Sequence, residues 1–176
     1  MADDKPIRRL QDDEVQQFFR AIRRRRRALF VRRDMCLFNL ILSYGLREAE
    51  AAELKLTDID LRRKTISIKR KKQGQAQAYY LSDENVQLIK DWLKRRKRLI
   101  GARENPFLFP SQVSGAKGHI SVDQIYFVFR DYAEQARLKG GGGPHRLRHT
   151  CASKLAERGF SAFQIQRRLG HKSIQM

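Results

Sequence analysis

No stretch of this 176-residue chain holds the roughly 18 uninterrupted apolar residues that a membrane span needs. The longest candidate, residues 35–46, is interrupted by Asn39, Ser43 and Gly45, and its pattern predicts a buried core helix. The opening MADDKPIRR lacks the apolar segment of a secretory signal. Cysteine is nearly absent. Cys36 and Cys151 fall on separate predicted helices among apolar neighbours, which points to core packing in a reducing cytoplasm and away from a disulfide or a metal pair. Acidic residues are also short: 19 Asp and Glu stand against 38 Lys and Arg, for a net charge of +19. Self-repulsion on that scale adds nothing to stability, so a polyanionic partner is implied, DNA or RNA ahead of an anionic membrane surface. What remains is a chain that is 41% hydrophobic, enough to build one core.

After a polar leader over residues 1–10, DDEVQQFFRAI has acidic residues at its start and Val15, Phe18, Phe19 and Ile22 at helical spacing. Five arginines follow, Arg23, Arg24, Arg25, Arg26 and Arg27, then Arg32 and Arg33; the run is a solvated face or a contact to backbone phosphates. Residues 34–44 read as the buried helix, ended by Gly45, and residues 47–56 as another. In TISIKR, Ile66 and Ile68 alternate with polar residues as a half-buried strand does. Lys71, Lys72, Gln73 and Gly74 supply a turn, and residues 76–81 the returning strand, with residues 58–60 as a possible third. Helices then begin at Ser82 and Ser121, both suited to N-caps. The four glycines at 140–143 lack the strand, Lys and Ser/Thr of a phosphate-cradling loop and predict a flexible linker, with Pro144 in the first turn of the next helix. The fold class is α+β, mainly helical with a small antiparallel sheet.

The chemistry gathers near the C-terminal end. In HRLRH, helical spacing puts His145, Arg148 and His149 on one face and Leu147 toward the core. The two histidines have the i, i+4 spacing of a metal pair, but an arginine beside them repels a cation, so no metal is expected. A basic face on a DNA-binding helix is the plainer alternative. In LGHK, Gly170 is a helix C-cap that turns His171 out of the helix. In YGLREAE, Gly45 breaks the buried helix and lets Arg47 emerge.

GLRxxE around Arg47, HxLRHTxA from His145 and LGHKSI from Leu169, in this order with a hairpin between the first two, resemble the tyrosine recombinase (phage integrase) family. The resemblance covers most of the chain and implies a catalytic domain over residues 11–176. It implies DNA cleavage by a tyrosine hydroxyl, a 3′-phosphotyrosyl link and a free 5′-hydroxyl, with no cofactor and no metal. Arg47 and Arg148 match the residues that hold the phosphoryl oxygens, a task suited to guanidinium forks that stay charged. Lys72 matches the hairpin general acid, with Lys71 an open alternative. His145 is implied in acid–base work and His171 in a bond to a phosphate oxygen. Glu48 and Glu50 receive no comparable role. Arg23 to Arg27, Lys71, Arg146 and Lys172 are the expected DNA contacts.

The family's nucleophile would fall a short way past Met176, and Tyr44, Tyr79, Tyr80, Tyr126 and Tyr132 all read as packing residues. The expectation is therefore a chain truncated before its nucleophile, which binds double-stranded DNA without cleaving it. The complete enzyme is expected as a homo-tetramer on two DNA sites, this chain as a monomer, in the cytoplasm with the nucleoid. A non-catalytic DNA-binding regulator of the same family is the alternative. General RNA binding is weaker, because no aromatic stacking platform is evident.

Overall fold

Helices form where hydrophobic spacing and caps agree. In the computed structural model, which describes residues 8–70, 76–99, 103–111 and 118–170, α1 spans Asp12–Arg23 and opens on three acidic residues. The Gln11 N–H donates to Glu14 Oε2 at 2.9 Å, and acids at the start with arginines in the last turn both suit the helix dipole. α1 ends at Arg23 because its apolar spacing stops at Ile22 and consecutive arginines repel across a turn. α2 spans Ala28–Tyr44 and so starts earlier than residue 34, where the sequence suggests, since Leu29 and Val31 also pack on the core. α3 is only Glu48–Ala52, and Leu56–Asp58 form a 3₁₀ turn instead of continuing it.

The sheet is antiparallel in the order β1 (Ile59–Asp60), β2 (Thr65–Lys69), β3 (Ala76–Tyr80). Ile66 pairs with Ile59 on one side and Tyr79 on the other, and the β2–β3 pairing runs from Thr65–Tyr80 to Lys69–Ala76. Ser82 and Ser121 cap α4 (Asp83–Arg96) and α5 (Val122–Gln135) as expected, each accepting an N–H three residues on. α6 spans His145–Glu157 and α7 Ala162–Leu169.

α2 is the central element, packed against α1, α4 and α6. Phe18, Phe38, Phe129 and Tyr132 form its aromatic core, with Phe18 5.3 Å from Phe38 and 4.9 Å from Phe129 between ring centres. Cys36 and Cys151 are free and buried, and burial pushes both thiols up, so they pack as apolar groups. Among the described residues no helix is long and apolar enough to cross a membrane.

Two sequence expectations need correcting. The end of the polar leader belongs to the domain: Leu10 is buried, its N–H donates to Thr150 Oγ1 at 2.8 Å, and Arg9 pairs with Glu157. The four-glycine segment is also tied down. Arg146 donates to the Lys139 carbonyl at 2.9 Å and the Gly140 carbonyl at 3.3 Å, and Gly143 lies so close under the Tyr126 ring that a Cβ would sit 2.5 Å from it.

Candidate functional site

Gly45 ends α2 in the left-handed conformation, φ 57°, and its neighbours leave no room for a side chain: a Cβ would meet Leu169 Cδ2 at 2.2 Å. That tight turn brings Arg47 to the N-cap of α3. Its N–H and its Nη1 donate to the two oxygens of Glu50, at 2.9 and 2.8 Å, and its Nη2 donates to the Gly170 carbonyl at 3.1 Å. Arg148, on α6, is 3% exposed and donates to the carbonyls of Gly45 and, at 2.7 Å, Leu169. Its Nη1 also lies 3.9 Å from Glu50. Burial first, and then the charge of Arg47, bring Arg148 down to about 10, which leaves it protonated at neutral pH.

Two residues without an assigned role in the sequence prove central to this arrangement. Arg70, fully buried at the end of β2, donates to Glu50 at 2.8 Å, the Tyr44 carbonyl at 2.9 Å, the Arg168 carbonyl at 2.8 Å and the Tyr79 hydroxyl at 3.2 Å. Glu50, 4% exposed, is the carboxylate that Arg47 and Arg70 share. Burial alone would raise its carboxyl, but the Arg47 N–H, the charge of Arg70 and the side-chain bonds to both arginines lower it. The sequence carried a signal for each. Period-2 alternation puts Arg70 on the inward face with Ile66 and Ile68, and Glu50 stands three residues after Arg47 at a helix start.

His145 and His149 share a face as expected, their rings 5.2 Å apart. His145 Nδ1 lies 3.8 Å from Glu48, so the other unassigned glutamate has a partner too. Burial, then His145 and Arg148, lower His149. Arg146 departs from its expected place as a DNA contact. It is 1% exposed, and its guanidinium is taken up by the carbonyls of Arg8, Lys139 and Gly140 because the helix turns it toward the incoming chain. Of the arginine run, Arg25 is half-buried while Arg23, Arg24, Arg26 and Arg27 are exposed. Lys71, Lys72, His171 and Lys172 lie outside the described residues.

The tyrosines divide unevenly. The Tyr44 hydroxyl donates to the Tyr80 carbonyl at 2.9 Å, the Tyr132 hydroxyl to Asp34 at 2.7 Å, and that of Tyr79 to the Arg168 carbonyl at 2.8 Å. Tyr80 does not pack, being 82% exposed on the outer side of β3, and Tyr126 is also exposed. The three guanidinia around one carboxylate leave a net positive centre, with Arg47 at its solvent edge, suited to a phosphodiester.

Comparison with known proteins adds family and fold. The profile of the phage integrase family matches residues 8–176. The type 1 fimbriae regulatory protein FimE of Escherichia coli K12 is 33% identical over 143 residues, 81% of this chain and 71% of that protein. The tyrosine recombinase XerS of Streptococcus thermophilus is 30% identical over 145 residues, 82% of this chain but 40% of XerS. The crystal structure of the XerH site-specific recombinase in a post-cleavage complex with its difH substrate aligns with TM-score 0.80 at 27% identity, over 97% of this chain and 48% of that one. This chain thus spans about half the length of XerH and less of XerS.

Proposed function

The chain belongs to the phage integrase family, the tyrosine recombinases, and from that premise we propose that it is the catalytic domain of a site-specific DNA recombinase. The observation that carries this reading is the convergence of Arg47, Arg70 and Arg148, from three separate segments, on Glu50 and the Gly45 carbonyl.

In the reaction we assign, a tyrosine oxygen forms a bond to the scissile phosphorus while the bond to the 5′-oxygen breaks. The tyrosine proton passes to His145, and Lys72, or Lys71 beside it, gives a proton to the leaving oxygen. Arg47 and Arg148 hold the non-bridging oxygens, where charge accumulates, and His171 adds a hydrogen bond there. Glu50 and Arg70 fix the two working guanidinia without touching DNA. Glu48 orients His145.

None of the five tyrosines is assigned the attack. Three hydroxyls are occupied by interior partners, and Tyr80 and Tyr126 stand outside the guanidinium cluster. The 176 residues therefore bind double-stranded DNA without cleaving it, as monomers, among the DNA of the cytoplasm. On the same reading, recombination itself takes a tetramer on two sites. The test is a nicked suicide substrate carrying the cognate site, followed by a denaturing gel. No covalent adduct is expected from this chain, and a chain extended past Met176 with a tyrosine-bearing segment is expected to give one. An adduct on the unextended chain overturns the binding-only reading. The occupied tyrosine hydroxyls equally support a non-catalytic DNA-binding regulator of this family, and that reading holds if the extended chain also gives no adduct.

A further inference from the structure

A second basic surface stands at the far end of α2 from the guanidinium cluster. α2 starts beside the arginine run and ends at Tyr44 and Gly45, whose carbonyls the cluster holds. Its 17 residues, at about 1.5 Å each, separate the two ends by about 25 Å. A phosphate bound at Arg47 and Arg148 is out of reach of the run.

The run is organised rather than uniformly solvated. Arg25 turns inward: its Nη1 donates to the Tyr132 hydroxyl at 2.9 Å and lies 3.5 Å from Asp34, and its guanidinium sits 5.0 Å from the Phe30 ring centre. Asp34 also accepts from Arg33 Nε at 2.6 Å and from the Tyr132 hydroxyl at 2.7 Å. One buried carboxylate thus anchors two arginines and a phenol. With Arg25 pinned, Arg23, Arg24, Arg26 and Arg27 stand exposed, and among the described residues none of these four has an ion-pair partner. Arg23, Arg25, Arg26 and Arg32 line a cleft of about 510 Å³ together with Val31 and Leu88. Arg25 lies 3.5 Å from Asp34 and Arg32 3.5 Å from Asp91, which leaves Arg23 and Arg26 to be neutralised, and crowding them there is unfavourable unless a polyanion does so.

Resting on the reading of this chain as a DNA-binding domain, we propose that the cleft binds backbone phosphates of double-stranded DNA, as a contact separate from the scissile phosphate. The phosphates belong either to a flank about seven base pairs along the same duplex, at about 3.4 Å per pair, or to a second duplex.

The test is fluorescence anisotropy of a labelled duplex titrated with the 176-residue chain over a series of NaCl concentrations. The variant Arg23→Gln/Arg26→Gln/Arg32→Gln changes only exposed side chains that line the cleft, and circular dichroism melting checks its fold. It is expected to flatten the log–log salt slope by about two to three, at about 0.9 per lost phosphate contact. The control Lys90→Gln/Lys94→Gln/Lys97→Gln, which removes the same charge from α4 and its end, changes the slope by less than about one. Equal changes in the two variants, or none in the cleft variant, overturn the proposal. A wild-type chain that fails to bind any duplex overturns the domain reading as well, whereas normal wild-type binding beside an unchanged cleft variant overturns the cleft alone. In a second arm, complexes on an immobilised duplex are challenged with a free labelled one. Capture that the cleft variant loses assigns the cleft to a second duplex, and a flatter slope without capture assigns it to the flank.

Discussion

Removing the Arg70 guanidinium would take one buried donor from the Glu50 carboxylate and from the carbonyls of Tyr44 and Arg168, leaving Glu50 to Arg47 and the Arg168 carbonyl to the Tyr79 hydroxyl. Breaking a buried charge pair from one side costs about 3–5 kcal/mol, so Arg70→Met is expected to lower the unfolding free energy by that order, read as a lower urea midpoint with the slope unchanged. Gly45→Ala should also destabilise, by about 1–3 kcal/mol, because φ is positive and Leu169 must move; a thermal melt measures it. Acid sensitivity follows from Glu48 and Glu50, both lowered from the usual 4.5 in the fold against the opposing effect of burial. Their stabilisation is present above that value and is lost as pH falls through the lowered folded values. Glu50→Gln should therefore cost stability at neutral pH and lessen further loss below about pH 4.5. An acid limb unchanged by the substitution would contradict this. At this scale the sequence picked out Arg47 and Arg148 by motif, and the structure brings both to Glu50. Arg70 and Glu50 touch protein only, so their pattern encodes position and had to be read from parity and cap spacing.

Helix starts were legible where a serine caps them, at Ser82 and Ser121, and less so at α2, which begins without a side-chain cap or an acidic residue in its first turn. The segment before α6 shows the limit of composition. Four glycines imply freedom, yet Arg146 fastens the carbonyls of Lys139 and Gly140 and Tyr126 covers Gly143, contacts that depend on where α5 and α6 lie in space. Arg146→Gln is expected to speed amide hydrogen exchange over residues 140–146 and lower the melting temperature, while leaving the salt slope of DNA binding within about 0.5 of wild type. A slope flatter by about one would return Arg146 to the DNA surface.

Across the molecule, a charge of +19 is expected to make the proposed duplex binding steeply dependent on salt. If six or more phosphates are neutralised, affinity should fall by about a thousandfold or more between 50 and 200 mM salt, measured by the same anisotropy titration. A shallow response would mean that the basic surface is not a clamp. The α+β class and the broad order of elements were readable from periodicity alone. The site was not, because its contacts join residues far apart in the chain, such as Arg47 with Gly170 and Arg148 with Gly45.

α2 ties the two basic regions into a single rigid gauge, with the cluster's carbonyls at one end and the arginine cleft at the other. About seven base pairs is about two-thirds of a B-DNA turn, so phosphates that far apart along a straight duplex face in different directions. The length of one core helix therefore sets an angular phase. On the proposed reading, the phosphates of one strand of a straight duplex seated at Arg47 are turned away from the cleft, and a bent duplex or a second one is expected to engage both. Adding or removing a turn of α2 is therefore expected to change which DNA geometry the two proposed contacts accept, without altering a residue proposed to touch DNA.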